Sequence, residues 1–274
     1  MKLSISTAVY YRYSLAESIK RIAELGYSAV EIWGGRPHAY PDDMTDSKID
    51  EIQKCIREYD LEISGLIPAQ FRYPTNLSIE DKKIREASIS YINHSINIAG
   101  RLEIKYVSVC PGFTLYGQSR ESGYNLFKDS LSRILEYAAK FNNIEILIEP
   151  AHKFETDIII FIEDSLKLLE EIKKPSLGIV LDTGHINVNK ESFSDAVRLL
   201  GDHIKHIHID DNHGYNDDHL IPGEGNINFE KVILDLKKIN YKGFLTVELG
   251  FGYTIDPDKA VYQSLKYLNK IGIK

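Results

Sequence analysis

Short β-branched and apolar runs alternate along the chain with longer stretches whose apolar positions recur every three or four residues. The short runs are 3–8 (LSISTA), 28–33 (SAVEIW), 62–67 (EISGLI), 104–110 (IKYVSVC), 144–149 (IEILIE), 177–182 (LGIVLD), 204–210 (IKHIHID) and 244–250 (FLTVELG). Their length and residue types predict strands. Between them the helical period predicts helices near 14–25, 46–59, 79–99, 121–141, 157–173, 192–201, 228–239 and 257–271. In the first of these Leu15, Ile19, Ile22 and Ala23 share one face, as do Ile162, Leu166, Leu169 and Ile172 in the fifth. Gly26 and Gly100 follow the first and third helices, and Pro175 lies just past the fifth, where helix-stop residues belong.

Eight strand–helix pairs in strict alternation imply a parallel sheet, and eight strands close it into a (β/α)8 TIM barrel. The rival, an open doubly wound sheet, usually carries a glycine-rich turn after its first strand, and residues 6–14 contain no glycine. No low-complexity linker interrupts the rhythm, so residues 1–274 are expected to form one barrel domain.

Composition narrows the function. Of 274 residues, 43% are hydrophobic and 27% charged, which supports a sizeable core and excludes global disorder. Lys plus Arg number 33 against 40 Asp plus Glu, a net charge of −7, which argues against a nucleic-acid partner held by bulk positive charge. Cys55 and Cys110 make neither a disulfide framework nor a CxxC metal site. The first residues lack a signal-peptide pattern and no run of 18 apolar residues occurs, so a cytoplasmic protein with no membrane partner is expected.

Barrel enzymes place their chemistry at the C-terminal ends of the strands. There the fifth run ends in Glu149, the sixth in Asp182 with His185 three residues on, and the eighth in Glu248; the seventh carries His206, His208 and Asp210 on one face. A bare carboxylate ending an apolar strand costs several kcal/mol to bury unless it is paired or metal-bound. Four consecutive strands ending Glu, Asp, His and Glu therefore point to an oxygen-rich site with one imidazole. Such a site suits Mn²⁺, Mg²⁺, Co²⁺ or Zn²⁺ rather than a thiolate-selected metal.

The segments AELGYSAVEIWGG, LIEP, FET, LDTGH, HIHIDD, IPGEGNINF and TVEL resemble, across essentially the whole chain, the xylose-isomerase-like barrels: sugar isomerases, sugar epimerases and endonuclease IV. The likeness is greatest to the ketose 3-epimerase branch, through GYSAVEIWGGRPHAY and DDHLIPGEG to the fructoselysine 3-epimerases in particular. The resemblance implies metal ligands Glu149, Asp182, His208 and Glu248, and substrate contacts at Glu155 and His185. It implies one divalent cofactor, Mn²⁺ ahead of Mg²⁺, Co²⁺, Ni²⁺ or Zn²⁺, and a small sugar as substrate; a homo-oligomer is compatible with the 17 tyrosines. Sugar epimerases often carry an arginine in the 211–227 region that contacts the ketose. None occurs here after Arg198, and His219 is the expected substitute.

Inverting a carbon beside a ketone takes a proton off one face and returns one to the other, with a Lewis acid to stabilise the enediolate between the two steps. Glu149 and Glu248, on strands three places apart in an eight-strand ring, are expected to be the two acid/base groups as well as ligands. His185 would donate to the developing oxyanion, and Glu155 would orient a terminal hydroxyl or His185. Asp210 is expected at the mouth as a substrate contact or behind one. Trp33 is expected as core packing or as an apolar wall for the sugar, and His206 as an inward-facing residue below the site. Arg36 and His38 would either read a charged substrate group or be plain loop residues. The amides of Gly223 and Gly225 offer an anion site or a tight turn into a helix capped by Asn228. The endonuclease reading requires histidines ending the third and fourth strands; LIPAQFRYP has none, and the fourth ends in Cys110. An aldose–ketose isomerase of the inosose or hydroxypyruvate type shares the enediolate and is the nearer alternative.

Overall fold

The computed structural model describes residues 1–70 and 75–273; the end of LIPAQFRYP, 71–74, lies outside them. Eight parallel strands close into a barrel in sequence order: β1 Lys2–Ser6, β2 Ala29–Gly34, β3 Glu62–Pro68, β4 Tyr106–Val109, β5 Glu145–Ile148, β6 Leu177–Asp182, β7 Ile204–Ile209 and β8 Phe244–Val247. The helices are α1 Leu15–Glu24, α2 Asp46–Glu58, α3 Lys82–Arg101, α4 Arg120–Ala138, α5 Ile162–Ile172, α6 Thr183–Val188, α7 Phe193–Leu200, α8 Phe229–Lys238 and α9 Pro257–Lys270. Seven of the nine helices named start on a side-chain cap: Ser14, Thr45, Asp81, Ser119, Asp182, Ser192 and Asn228 each accept a backbone N–H of their own first turn.

Three expectations shift. The first strand stops at Ser6, because Thr7–Tyr10 turns into a 3₁₀ helix on the Ser6 side chain. The fifth helix starts at Ile162, not 157, because the Asp164 carboxylate caps the Ile160 and Phe161 amides and Arg120 binds the Asp157 and Ile158 carbonyls. Its most buried face runs through Ile162, Ser165 and Leu168, with Leu166, Leu169 and Ile172 flanking it. The short helix α6, not anticipated, forms because Asp182 caps it the moment the strand ends.

Two register shifts aim polar side chains into the barrel. Between β2 and β3 the pairing steps from Val30–Ile63 to Glu31–Gly65, and between β6 and β7 from Ile179–Ile204 to Val180–His206. The second shift sets Asp182 opposite His208. Irregularities of this kind re-aim side chains next to active sites. Below them Ser4, Ser64 and Thr246 form a buried layer of hydroxyls. The last helix closes the ring against the first: Asp258 accepts from Arg21 at 2.6 Å and from Tyr10 Oη at 2.8 Å. Among the described residues, no helix is long and apolar enough to cross a membrane.

Candidate active site

Glu149 and Glu248 each follow their strand by one residue, Asp182 ends β6, and His208 lies within β7. The barrel converges these four: one donor atom from each lies within 4.8 Å of all the others. His208 Nδ1 is 2.7 Å from Glu149 Oε1, 3.3 Å from Glu248 Oε2 and 3.8 Å from Asp182 Oδ2. Asp182 spends Oδ1 on the His185 amide at 2.7 Å, which leaves Oδ2 buried, facing the group and without a hydrogen-bond partner.

The electrostatics describe a site with an excess of negative charge over its single imidazole. Burial opposes a charge on His208, yet Glu149, Glu31 and Glu248 around it hold its pKa well above the usual imidazole range. Burial also pushes Glu149 up, but His208 outweighs it and holds this carboxyl below its ordinary range. Glu248 is pushed up to about 7 by burial, with Glu149 and Glu31 adding to it against His208 and His219. Three carboxylates, one imidazole and an unpartnered buried oxygen form a donor set that fits a hard or borderline divalent cation.

Beneath the group sits Glu31, fully buried on β2. Its Oε1 is 3.2 Å from His208 Nε2 and 3.1 Å from His206 Nε2. Burial pushes Glu31 up, but the two imidazoles prevail and hold it ionised.

Above the group opens a cavity of about 660 Å³. Trp33, Ile67, Pro68, Phe154, Leu249 and Phe251 line its apolar part, and Glu155, Asp217, His219, His152, Glu248 and Cys110 its polar part. Asp217 gathers the rim: its Oδ2 lies 2.7 Å from His219 Nε2, 3.1 Å from His152 Nε2 and 3.5 Å from His185 Nε2. His185 Nδ1 faces the Pro150 carbonyl at 3.1 Å, so Nδ1 donates and Nε2 turns toward Asp217 and, at 3.9 Å, Glu155.

The pattern of the xylose isomerase-like TIM barrels matches residues 19–271. The chain belongs to that family. Within it, the chain is 29% identical to the fructoselysine 3-epimerase of Shigella flexneri over 97% of this chain and 96% of that one. It is 23% identical to the D-psicose 3-epimerase of Agrobacterium fabrum over 94% and 90%. A crystal structure described as a D-tagatose 3-epimerase-like protein superposes with a TM-score of 0.83 at 29% identity, over 98% of this chain and 99% of that one.

Glu149, Asp182, His208 and Glu248 come together, and Glu248, Trp33, Glu155 and His219 line the cavity, whereas Glu149 is buried behind it and is not part of its lining. His185 and Asp210 do not line it. His185 stands behind Glu155 and Asp217. Asp210, expected at the mouth, is fully buried: its Oδ1 accepts the Gly184 amide at 2.8 Å, and its Oδ2 is 3.4 Å from His219 Nδ1. The register that points His208 inward also carries Asp210 under the N-terminus of α6. His38 does not face the cavity either: Thr7 Oγ1 and the Tyr10 and Tyr13 carbonyls surround its ring. Arg36 pairs with Asp43 at 2.5 Å and lies over the Tyr40 ring. The amides of Gly223 and Gly225 both donate to Asp211 Oδ2 at 2.9 Å, and Asn228 caps α8, so the tight-turn alternative holds there.

Sequence reasoning did not single out Glu31, nor Asp217 as the hub of the rim. Glu31 carried a signal: it is the one carboxylate inside SAVEIW, with apolar neighbours on both sides. Asp217 carried none, because only the folded 211–227 loop brings it to three histidines.

Proposed function

We propose that this protein is a divalent-metal-dependent sugar epimerase that inverts C3 of a ketose or ketosamine. The observation that carries the reading is the convergence of Glu149, Asp182, His208 and Glu248 within 4.8 Å, joined through Glu248 to a cavity wide enough for a sugar derivative. The fructoselysine and D-psicose 3-epimerases among the relatives support the substrate class.

Glu149, Asp182, His208 and Glu248 would hold the cation, with Mn²⁺ proposed ahead of Mg²⁺, Co²⁺, Ni²⁺ or Zn²⁺. When bound, the ion supplies Lewis acidity for the negative charge that develops on the ketose oxygens. Glu149 and Glu248 reach the sugar from strands three places apart, so one carboxylate takes the C3 proton from one face and the other returns a proton to the opposite face. Exchanging these roles runs the reaction backwards. Glu155 and His219, on the cavity wall, bind hydroxyls of the sugar. His185 orients Glu155 from behind, and Asp210 faces His219 Nδ1 at 3.4 Å as a charged neighbour rather than touching substrate. Trp33 and Phe154 present apolar surface to the C–H faces of the ring or chain.

The test is solvent-hydrogen exchange. The metal-loaded protein, incubated in D₂O with a panel of ketoses and with fructoselysine, should place deuterium at C3 and accumulate the C3 epimer. Deuterium at C1 or C2 alone would replace this reading with an aldose–ketose isomerase. No label in any sugar, with nicking of abasic DNA, would replace it with a phosphodiesterase.

A further inference from the structure

The axis of the barrel holds a carboxylate to which the proposed reaction gives no task. Glu31 is fully buried, on a strand three places round the ring from the one that bears His206 and His208. The barrel makes room for it: the register shift sets Glu31 opposite Gly65, where a Cβ would come within 3.2 Å of Glu31 Oε1. A buried carboxylate in such a place costs several kcal/mol unless its hydrogen bonds repay it. Glu31 Oε1 accepts from His208 Nε2 at 3.2 Å and lies 3.1 Å from His206 Nε2 in a close ion-pair contact, while Oε2 has no hydrogen-bond partner among the described residues.

Both nitrogens of His208 face carboxylates, but only those on the Nδ1 side belong to the convergent donor group. Nε2 meets Glu31, its only hydrogen-bond partner among the described residues, while Nδ1 meets Glu149, Glu248 and Asp182. A neutral imidazole carries one N–H and one lone pair. Without a cation both nitrogens face carboxylates, and the ring is held protonated. A cation held by Glu149, Asp182 and Glu248 would take up the oxygens on the Nδ1 side; Glu31, which accepts but cannot donate, would then keep the N–H on Nε2 and leave the Nδ1 lone pair for the ion. A carboxylate behind a ligating histidine commonly fixes its tautomer and ring plane in this way. We propose that Glu31, steadied by His206, is a positioning residue of the metal centre, and that it makes Nδ1 of His208 the ligating nitrogen. The inference rests on the metal-centre reading of the preceding subsection.

The test combines affinity with a spectroscopic signature. In the wild-type protein loaded with Zn²⁺ and labelled with ¹⁵N-histidine, long-range ¹H–¹⁵N correlation should show His208 with a protonated Nε2 and a metal-bound Nδ1. Glu31→Gln should weaken Mn²⁺ binding by roughly 10–100-fold in competition with a chromophoric chelator. It should also blur the His208 tautomer signal, while the apo protein keeps its circular dichroism. Glu31→Asp, which restores the charge at shorter reach, should recover part of the affinity. Unchanged Mn²⁺ affinity in Glu31→Gln would overturn the proposal, as would a wild-type spectrum with metal on Nε2. The wild-type spectrum decides the matter even if the variant fails to fold. A wild type that binds neither Mn²⁺ nor Zn²⁺ would instead sink the metal-centre reading, and this inference with it.

Discussion

At the scale of single residues, the two glutamates are predicted to be separately indispensable. Glu149→Gln and Glu248→Gln each keep the shape of the side chain and remove the base, so each should lower kcat by about 10²–10⁴-fold. Ketose should still bind, by calorimetry, to metal-loaded variants; a variant that keeps its turnover would refute the two-base assignment. A second prediction concerns His38, which burial holds down to about 4 against the carbonyls of Tyr10 and Tyr13. The unfolded chain protonates this ring near 6.5, the folded one near 4, so between those values the unfolded state binds the extra proton. The stability due to keeping His38 neutral is present in full above pH 6.5. It is lost as pH falls through the window to about 4, by up to about 3 kcal/mol. Urea melts across that window should show a shallower acid limb for His38→Gln than for the wild type; parallel limbs would show that another group titrates.

At the scale of elements, the 211–227 loop is held by one side chain. Asp211 is fully buried and its carboxylate accepts four backbone amides: Asn212 and Ile227 on Oδ1, Gly223 and Gly225 on Oδ2. Its backbone also bridges to Leu220. The glycines are required by space: a Cβ at Gly225 would fall 2.2 Å from Asp211 Oδ1, and Gly223 has a φ of +93°. Asp211→Asn turns an NH₂ toward amides that need an acceptor, and should cost about 1.5–3 kcal/mol. Hydrogen exchange should rise at 212 and 223–227 and leave the strands unchanged. Exchange that stays slow in the loop would mean that Leu220 and Asn212 suffice to hold it. Because Asp217 and His219 ride on this loop, the same variant should also raise KM more than it lowers kcat.

At the scale of the whole molecule, the barrel gathers Glu149, Asp182 and Glu248 around a single imidazole, on a chain whose net charge is already −7. Such an arrangement is strained by like charges until a cation is bound. Binding that favours the folded state adds about 2.7 kcal/mol at a hundredfold excess over Kd. At roughly 2–4 °C per kcal/mol for a chain of this size, Mn²⁺ should raise Tm by several degrees and a chelator should reverse the rise. A Tm indifferent to both would argue that the four side chains hold no ion.

The barrel was legible in the one-dimensional pattern because eight apolar runs alternating with helical periods admit few parallel sheets, and a strand buried on both faces has to be apolar. Glu149, Asp182, His208 and Glu248 were legible for the opposite reason, since a polar residue ending such a run violates the pattern and demands a partner. The same argument applied to Glu31, inside β2, but its partners lie on a strand far away in sequence. The tertiary structure alone decided what touches what. Two register shifts turned His206 and His208 toward Glu31 and carried Asp210 under α6 instead of to the mouth. The 211–227 loop, which has no period to read, placed Asp217 among three histidines. Burial and periodicity are properties of each segment and are written locally. Which nitrogen faces which carboxylate depends on closing the ring, where a shift of one residue in pairing changes every neighbour.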